Sequence, residues 1–123
     1  MINRGIIPRV PLYIGGLGSK ICAVYDTMSA QVPRNHRHLN LMSDLSPYVA
    51  GGAEITSLSP RKRAIYALSS GMMTEHTLSN VFVSKVLPDP SQYLFFVGYA
   101  DPASPAGRVR AAAQGEKLSL IHI

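Results

Sequence analysis

The feature that most restricts the fold is an apolar strand that ends in a loop of small residues and is followed by a helical pattern. Residues 64–68 are mostly apolar, and Ser69-Ser70-Gly71 end this run abruptly. A strand, a short loop of small residues and a helix start leave backbone N–H groups free to hold an anion. Residues 93–97 predict another buried strand. The whole segment therefore predicts a βαβ unit with polar loops.

A second segment near the start of the chain has the same construction. The apolar residues 10–14 run into Gly15-Gly16-Leu17-Gly18-Ser19, and apolar residues then recur at helical spacing from Ile21 to Met28. Ser19 or Gly18 is the expected N-cap. The glycines do not complete the dinucleotide-binding pattern G-x-G-x-x-G, so a close packing turn and a phosphate-contacting loop both remain open. In a parallel sheet the two loops would leave the same edge, from the carboxyl ends of their strands.

Composition indicates a globular protein of about one domain. The 123 residues are 46% hydrophobic and 15% charged, which suits a small core with buried strands. Twelve Lys and Arg against seven Asp and Glu give a formal net charge of +5, which favours polyanionic partners without selecting one. Cys22 is the sole cysteine, so an internal disulfide and a multi-cysteine zinc site are excluded. No apolar run approaches the roughly 20 residues of a membrane span, and we expect a cytoplasmic protein with no membrane partner.

The middle of the chain, residues 29–60, lacks periodicity and is rich in Pro, Gly, Ser and Asn. We expect an irregular segment with at most a short helix or strand. His36 and His38 resemble the start of a zinc site, but only Asn40 lies within four residues and Asp44 is farther on. Zinc needs more ligands than these. Surface histidines in a basic loop are the favoured interpretation, and no metal is expected to bind this chain.

The helix predicted after Gly71 carries the strongest candidate for an anion site. Four apolar residues share one face of this helix, as expected for packing on a core: Leu78, Val81, Phe82 and Val86. Thr74 or Thr77 is the expected cap. The free N–H groups of the first turn, together with the hydroxyls of Ser69 and Ser70, predict anion binding. Simple helix capping by these serines is the alternative.

Several motifs, taken in order, resemble one known family. They are Ser69-Ser70-Gly71-Met72-Met73, Leu87-Pro88-Asp89-Pro90, Leu94-Phe95-Phe96-Val97-Gly98-Tyr99 and Gly107-Arg108. In that order and at that spacing they resemble the β-CASP region of metallo-β-lactamase-fold nucleases. These are RNA-processing and RNA-degrading enzymes that include the bacterial J-type ribonucleases and the cleavage-factor endonuclease of mRNA 3′ ends. The segment from Val10 to Tyr25 resembles the first part of the same region.

The resemblance implies an α/β fold, a small Rossmann-like domain with a parallel sheet and helices packed on it. Such a domain lies over a zinc-bearing domain and forms one wall of a nucleic-acid cleft. In these enzymes a two-zinc centre activates water to attack a phosphodiester. The resemblance places the zinc ligands, a His-x-His-x-Asp-His motif and later Asp and His residues, outside this chain. The stretch from His36 to Leu41 lacks the Asp-His half of that motif.

Seven residues are expected to bind nucleic acid or phosphate: Gly15, Gly16, Ser69, Ser70, Gly71, Gly107 and Arg108. The family often has Gly-Thr-x-Gly-Arg after the Gly-Tyr strand, whereas this chain has Ser104-Pro105-Ala106-Gly107-Arg108. We expect a loop that opens at Gly98-Tyr99 and ends at Gly107-Arg108. Since only the last two residues of the family pattern carry over, Arg108 is the expected phosphate contact of this loop, with Ser104 as a second candidate.

We interpret residues 1–123 as a single, partial β-CASP-like domain with an uncertain tail at residues 118–123. This fragment is expected to bind and orient RNA or single-stranded DNA, to have the missing metallo-β-lactamase domain as its partner, and to cleave nothing by itself. A homodimer is left open. One alternative is a stand-alone Rossmann-like module for a small nucleotide or phosphate, with Asp44 as the nearest acidic ribose partner. The other is a structural interaction domain.

Overall fold

The computed structural model describes residues 5–6, 8–33, 40–44, 46–47, 59–69 and 71–115. Within these residues the strands are β1 (Leu12–Gly16), β2 (Ser46–Pro47) and β3 (Ile65–Ser69), and the helices are α1 (Leu17–Thr27), α2 (Leu41–Asp44), α3 (Leu78–Val86) and α4 (Pro105–Ala113). A 3₁₀ turn lies at Gly71–Met73. The chain divides into two compact units, the first with the sheet, α1 and α2, and the second with the 3₁₀ turn, α3 and α4. The predicted α/β class with a small parallel sheet is confirmed.

The sheet of the first unit has the strand order β2-β1-β3, and both pairs are parallel. β1 and β3 pair along their whole length, from Leu12 opposite Ile65 to Gly16 opposite Ser69. The carboxyl ends of the two strands therefore lie side by side, which confirms that both strands end at one edge of the sheet. β1 ends two residues later than predicted because Gly15 and Gly16 continue the ladder with β3.

Helix α1 follows β1 without a connecting loop. Its N-cap is Gly16, and the predicted caps Gly18 and Ser19 lie inside its first turn. The helix packs against β1 and β3, yet none of its residues is buried. Of the apolar side chains that predicted the helix, Cys22 is half-buried, and four are between 41% and 56% exposed: Ile21, Val24, Tyr25 and Met28. The periodicity therefore predicted the helix correctly but not the extent of its burial.

Helix α2 is a single turn whose start is held by the end of α1. The Asp26 carboxylate accepts hydrogen bonds from the backbone N–H groups of Leu41 and Met42, at 2.9 and 2.7 Å. Such a side chain satisfies amides that have no partner within a helix. Within residues 29–60 the described residues include a one-turn helix and a two-residue strand. The irregular character of the whole segment stays a prediction, since most of it lies outside the described residues.

The second unit has its own small apolar core. Its buried members are Met73, Val83, Ala100, Ala106 and Val109, with Leu87 and Phe96 packed against them. Thr77 caps α3, as predicted, because its side-chain oxygen accepts a hydrogen bond from the Asn80 backbone N–H at 3.4 Å. Of the four residues predicted for the core face of this helix, Phe82 and Val86 are buried, while Leu78 and Val81 are half-buried.

The predicted buried strand at residues 93–97 is wrong for this structure. The segment belongs to no strand, and Tyr93, Phe95 and Val97 are 84%, 82% and 98% exposed. Only Phe96 of this run packs against the core of the second unit. The predicted βαβ unit therefore has its first strand and its helix, but no second strand among the described residues.

Some predictions concern residues that the structure does not describe. Ser70, His36, His38 and residues 118–123 lie outside the described ranges. The single domain over residues 1–123 stays a prediction. Among the described ranges, no helix has the length and apolar character that crossing a membrane requires.

Candidate nucleic-acid interface

The edge where β1 and β3 end depends on a glycine at position 16. Gly16 has φ 73° and ψ −153°, a backbone conformation that essentially only glycine adopts. A Cβ atom on this residue would also overlap the main-chain carbonyl of Ser69, its partner on β3. Glycine at this position therefore lets α1 start directly beside the end of β3.

The hydroxyl group of Ser69 connects the two strand ends. Its oxygen accepts a hydrogen bond from the backbone N–H of Gly18, in the first turn of α1. It also donates to the carbonyl oxygen of Gly15 at 3.3 Å. On the same turn, the Ser19 hydroxyl donates to the carbonyl oxygen of Gly16 at 2.8 Å. The predicted site residues Gly15, Gly16 and Ser69 are thus in direct contact, although they come from segments more than 50 residues apart.

The electrostatics of this edge suit an anion. The first turn of α1 has no acidic residue and no side-chain cap on its N-cap glycine, and helix N-termini carry a partial positive charge. Gly16, Leu17 and Ser69 are exposed. The Ser69 hydroxyl already donates its proton to Gly15 and accepts from Gly18, so the positive end of α1 is the feature of this edge that suits a phosphate group.

In the second unit, the Gly71–Met73 turn has an unusual backbone. Met72 and Met73 have φ of 56° and 61°, values that are uncommon for residues other than glycine. The Asn80 side chain donates to the Met73 carbonyl oxygen at 2.9 Å, and the Met72 sulfur accepts from the Asp101 backbone N–H at 3.3 Å. These contacts attach the turn that begins at Gly71 to α3 on one side and to the segment before α4 on the other.

Gly107 and Arg108 lie in helix α4, which corrects the expectation that they end a loop. The Ser104 hydroxyl caps α4 by accepting from the Gly107 N–H at 3.1 Å, and it donates to the Asp101 carbonyl oxygen at 2.6 Å. Pro105 is the first helical residue. Serine followed by proline is a common helix start, so this signal was present in the sequence.

The two family-matched residues of α4 have different surroundings. Gly107 is buried, and a Cβ atom there would overlap the Asp101 carbonyl oxygen and come within 2.7 Å of the Pro102 Cα atom. Its lack of a side chain lets α4 pack closely against the preceding turn. Arg108 is exposed on α4, with its backbone N–H bonded to the Ser104 carbonyl oxygen at 3.0 Å. Close packing at Gly107 therefore fixes the helix that presents the Arg108 guanidinium to solvent.

The seven predicted binding residues fall into three sets. Gly15, Gly16 and Ser69 meet in the first unit, Gly71, Gly107 and Arg108 belong to the second, and Ser70 is outside the described residues. A role in binding nucleic acid stays a prediction for all seven.

The described residues do not form a zinc site. In these parts of the chain no three His, Cys, Asp or Glu side chains are close enough together to hold a metal ion. Zinc requires about four such ligands, or three in a catalytic site. The His, Cys, Asp and Glu side chains of the described residues therefore do not fit the two-zinc centre that the family resemblance implies, and we derive no chemical step from them.

One arrangement in the first unit was not predicted from the sequence. Tyr13 and Tyr66 are directly opposite each other on β1 and β3, and both contact Arg61. An available signal was the position of each tyrosine within an apolar strand, since aligning the two strands in parallel brings both to one face. Arg61 belongs to the basic run Arg61-Lys62-Arg63.

Comparison with known proteins gives one family. A family model described as Beta-Casp domain matches residues 1–109. No curated protein and no solved structure matches the chain.

Proposed function

The chain belongs to the Beta-Casp domain family, and from this premise we propose that it binds and orients RNA or single-stranded DNA for a zinc-dependent nuclease. The match over residues 1–109 carries the proposal, because the family is that of metallo-β-lactamase-fold RNA-processing nucleases. Its partner is the metallo-β-lactamase domain of the same polypeptide. Zinc in that domain would supply the activated water and stabilise the leaving oxygen, whereas the present chain holds the substrate strand.

Three properties of the described residues support this role. The edge at Gly16 and Ser69 is exposed and lies at the positive end of α1, whose first turn has no acidic residue. Arg108 is exposed and lies in a helix whose position is fixed by close packing at Gly107. The net charge of +5 favours association with a polyanion. Together they suit contacts with phosphate groups, which position a nucleic acid without reading its sequence.

Binding of the purified 123-residue chain to a labelled 12-nucleotide RNA, and to DNA of the same sequence, tests the proposal. We expect fluorescence anisotropy to report binding that weakens steeply with salt, with a log–log slope of about −0.7 per phosphate contact. Absence of binding to both strands at low salt would overturn the proposal and leave a structural interaction domain. Equal affinity for a mononucleotide would instead favour the small-nucleotide module.

A single substitution distinguishes a specific phosphate contact of Arg108 from the effect of net charge on RNA binding. Replacing Arg108→Gln should weaken RNA binding about fivefold at 0.1 M salt, because one contact contributes about 0.7 to the slope. Arg110→Gln is the matched control, since Arg110 is also exposed on α4 and the charge removed is the same. Equal losses in both variants would exclude a specific role for Arg108.

A cleavage assay tests the assignment of catalysis to a domain other than this chain. We expect no hydrolysis of the labelled RNA when the purified chain is incubated with Zn²⁺. Cleavage that is abolished by a chelator and that survives further purification of the chain would contradict the assignment of catalysis to another domain.

A further inference from the structure

A basic turn lies at the amino end of β3, at the end of this strand opposite to Ser69. We define the basic turn as Arg61, Lys62 and Arg63. All three residues are exposed, and within the described part of the chain none of them forms an ion pair with a carboxylate. Three neighbouring cations without a carboxylate repel one another, and a polyanion relieves that repulsion.

Two stacked tyrosines hold this turn in place. The rings of Tyr13 and Tyr66 stack with centroids 5.0 Å apart and an angle of 19° between their planes. The Tyr66 hydroxyl accepts a hydrogen bond from the Arg61 backbone N–H at 2.8 Å. The Arg61 side chain donates from Nη1 to the Tyr13 hydroxyl at 3.0 Å, and its guanidinium carbon lies 5.7 Å from the Tyr13 ring centre. Both the backbone and the side chain of Arg61 are thus bound to the sheet.

The backbone around the turn is also fixed. Arg63 has φ 55°, in the left-handed region. Immediately after the turn, the Ile65 N–H donates to the Pro11 carbonyl oxygen at 3.0 Å, which attaches the start of β3 to the residue before β1. A cationic side chain that is already ordered loses less conformational freedom when it binds a ligand. Arg61 therefore combines an ordered side chain with its positive charge.

We propose that the basic turn binds the phosphodiester backbone of a single-stranded nucleic acid, with Tyr13 and Tyr66 as positioning residues for Arg61. This inference rests on the proposed function and adds a contact that neither the family motifs nor the loop pattern predicts. The ligand is a phosphodiester strand because the turn presents three neighbouring positive charges, which suit a row of phosphate groups. The contact is therefore insensitive to sequence.

A triple substitution tests the charge of the turn. In the full chain, Arg61→Gln, Lys62→Gln and Arg63→Gln together should reduce the magnitude of the salt slope for a labelled 12-nucleotide RNA by about 2, since each contact contributes about 0.7. At 0.1 M salt this corresponds to roughly 100-fold weaker binding. Circular dichroism confirms that the variant is folded.

A matched control removes the same charge elsewhere. Arg9→Gln, Lys85→Gln and Arg110→Gln together also lower the net charge by three, and none of them belongs to the basic turn. We expect this variant to bind within about threefold of the wild type, because distant exposed charges are screened. Equal weakening in both triple variants, or wild-type binding by the basic-turn variant, would overturn the proposal.

A substitution that keeps every charge tests the positioning role. Tyr13→Phe removes the hydroxyl that orients Arg61 and retains a ring for stacking. We expect roughly two- to tenfold weaker binding, which is the cost of ordering one long side chain on association, with an unchanged salt slope. Tyr25→Phe, on the exposed part of α1, is the control. Unchanged affinity in Tyr13→Phe would overturn the positioning role of this tyrosine.

The two proposals fail in different ways. If the wild-type chain does not bind RNA or single-stranded DNA at low salt, the proposed function and this inference both fail. If the wild type binds and the basic-turn triple variant binds equally well, only the inference about the basic turn fails.

Discussion

Replacing Gly16→Ala should destabilise the first unit more than an ordinary glycine substitution does. Gly16 has φ 73° and ψ −153°, and a residue with a side chain costs about 1–3 kcal/mol in that region. The new methyl group would also overlap the Ser69 carbonyl oxygen. Because this atom belongs to the backbone, it cannot rotate away, and β1 would have to shift along β3. We therefore expect a loss of about 3 kcal/mol in the free energy of unfolding.

Urea unfolding, followed by far-ultraviolet circular dichroism, measures this loss. Small domains are stable by about 5–15 kcal/mol, so the variant should remain folded in water but unfold at a clearly lower urea concentration. In thermal unfolding the same change should lower Tm by roughly 10 °C. Both measurements apply to the full chain.

Gly115→Ala is the control for the backbone conformation alone. Gly115 also has a positive φ, 104°, but an added Cβ would have no atom within 4 Å. We expect a loss of about 1 kcal/mol or less, at the lower end of the cost of such a conformation. Equal losses in the free energy of unfolding of the two variants would show that overlap with the Ser69 carbonyl oxygen adds no cost. Wild-type stability of Gly16→Ala would refute the pairing of Gly16 with Ser69.

Two further substitutions test the packing of each unit. Ser69→Ala removes the hydroxyl that bonds to Gly18 and Gly15 and should lower the free energy of unfolding by about 1–2 kcal/mol. We expect faster hydrogen exchange at the Gly18 amide, and an unchanged exchange rate would contradict the observed bond. Gly107→Ala should lower the free energy of unfolding by about 2 kcal/mol, because the methyl group would overlap the Asp101 carbonyl oxygen and press on Pro102. This loss is expected even though alanine favours a helix by about 1 kcal/mol, and stability at or above that of the wild type would disprove this packing.

The sequence predicted a parallel sheet in which the strands now seen as β1 and β3 end at one edge, because each apolar run is short and ends in small residues. It did not predict that the two strands are direct neighbours, nor that β3 has no buried residue. The sequence could not predict the hydrogen bond between Ser69 and Gly18, which joins residues 51 positions apart. A contact at that separation depends on strand register, which local patterns do not contain.

The exposed face of α1 and the run at residues 93–97 show a different limit. Apolar periodicity predicts that α1 is a helix, but it does not say how much of Ile21 or Val24 a neighbour covers, and both are about half exposed. Residues 93–97 are apolar without alternation, so the pattern could not indicate that Phe96 packs inward while Phe95 faces solvent.

Helix α4 was missed for another reason. Ser104 and Pro105 are a local signal for a helix start, yet the glycines at positions 98 and 107 were interpreted as the two ends of a loop. The local signal was correct, since Ser104 caps α4 and Pro105 is its first residue. Capping residues act through hydrogen bonds within a few positions, so they remain informative where a family pattern is only partly matched.

The long separation between β1 and β3 has a consequence for synthesis of the protein. Leu12 pairs with Ile65, more than 50 residues later, and a ribosome adds roughly 5–20 residues per second. For about 3–10 s, therefore, the new apolar strand β1 is without its main partner. Of the described strands only the two-residue β2 is made in that interval. An unpaired apolar strand is prone to pair with other chains, so the rate of translation between β1 and β3 would affect the yield of folded protein without any change in its amino-acid sequence.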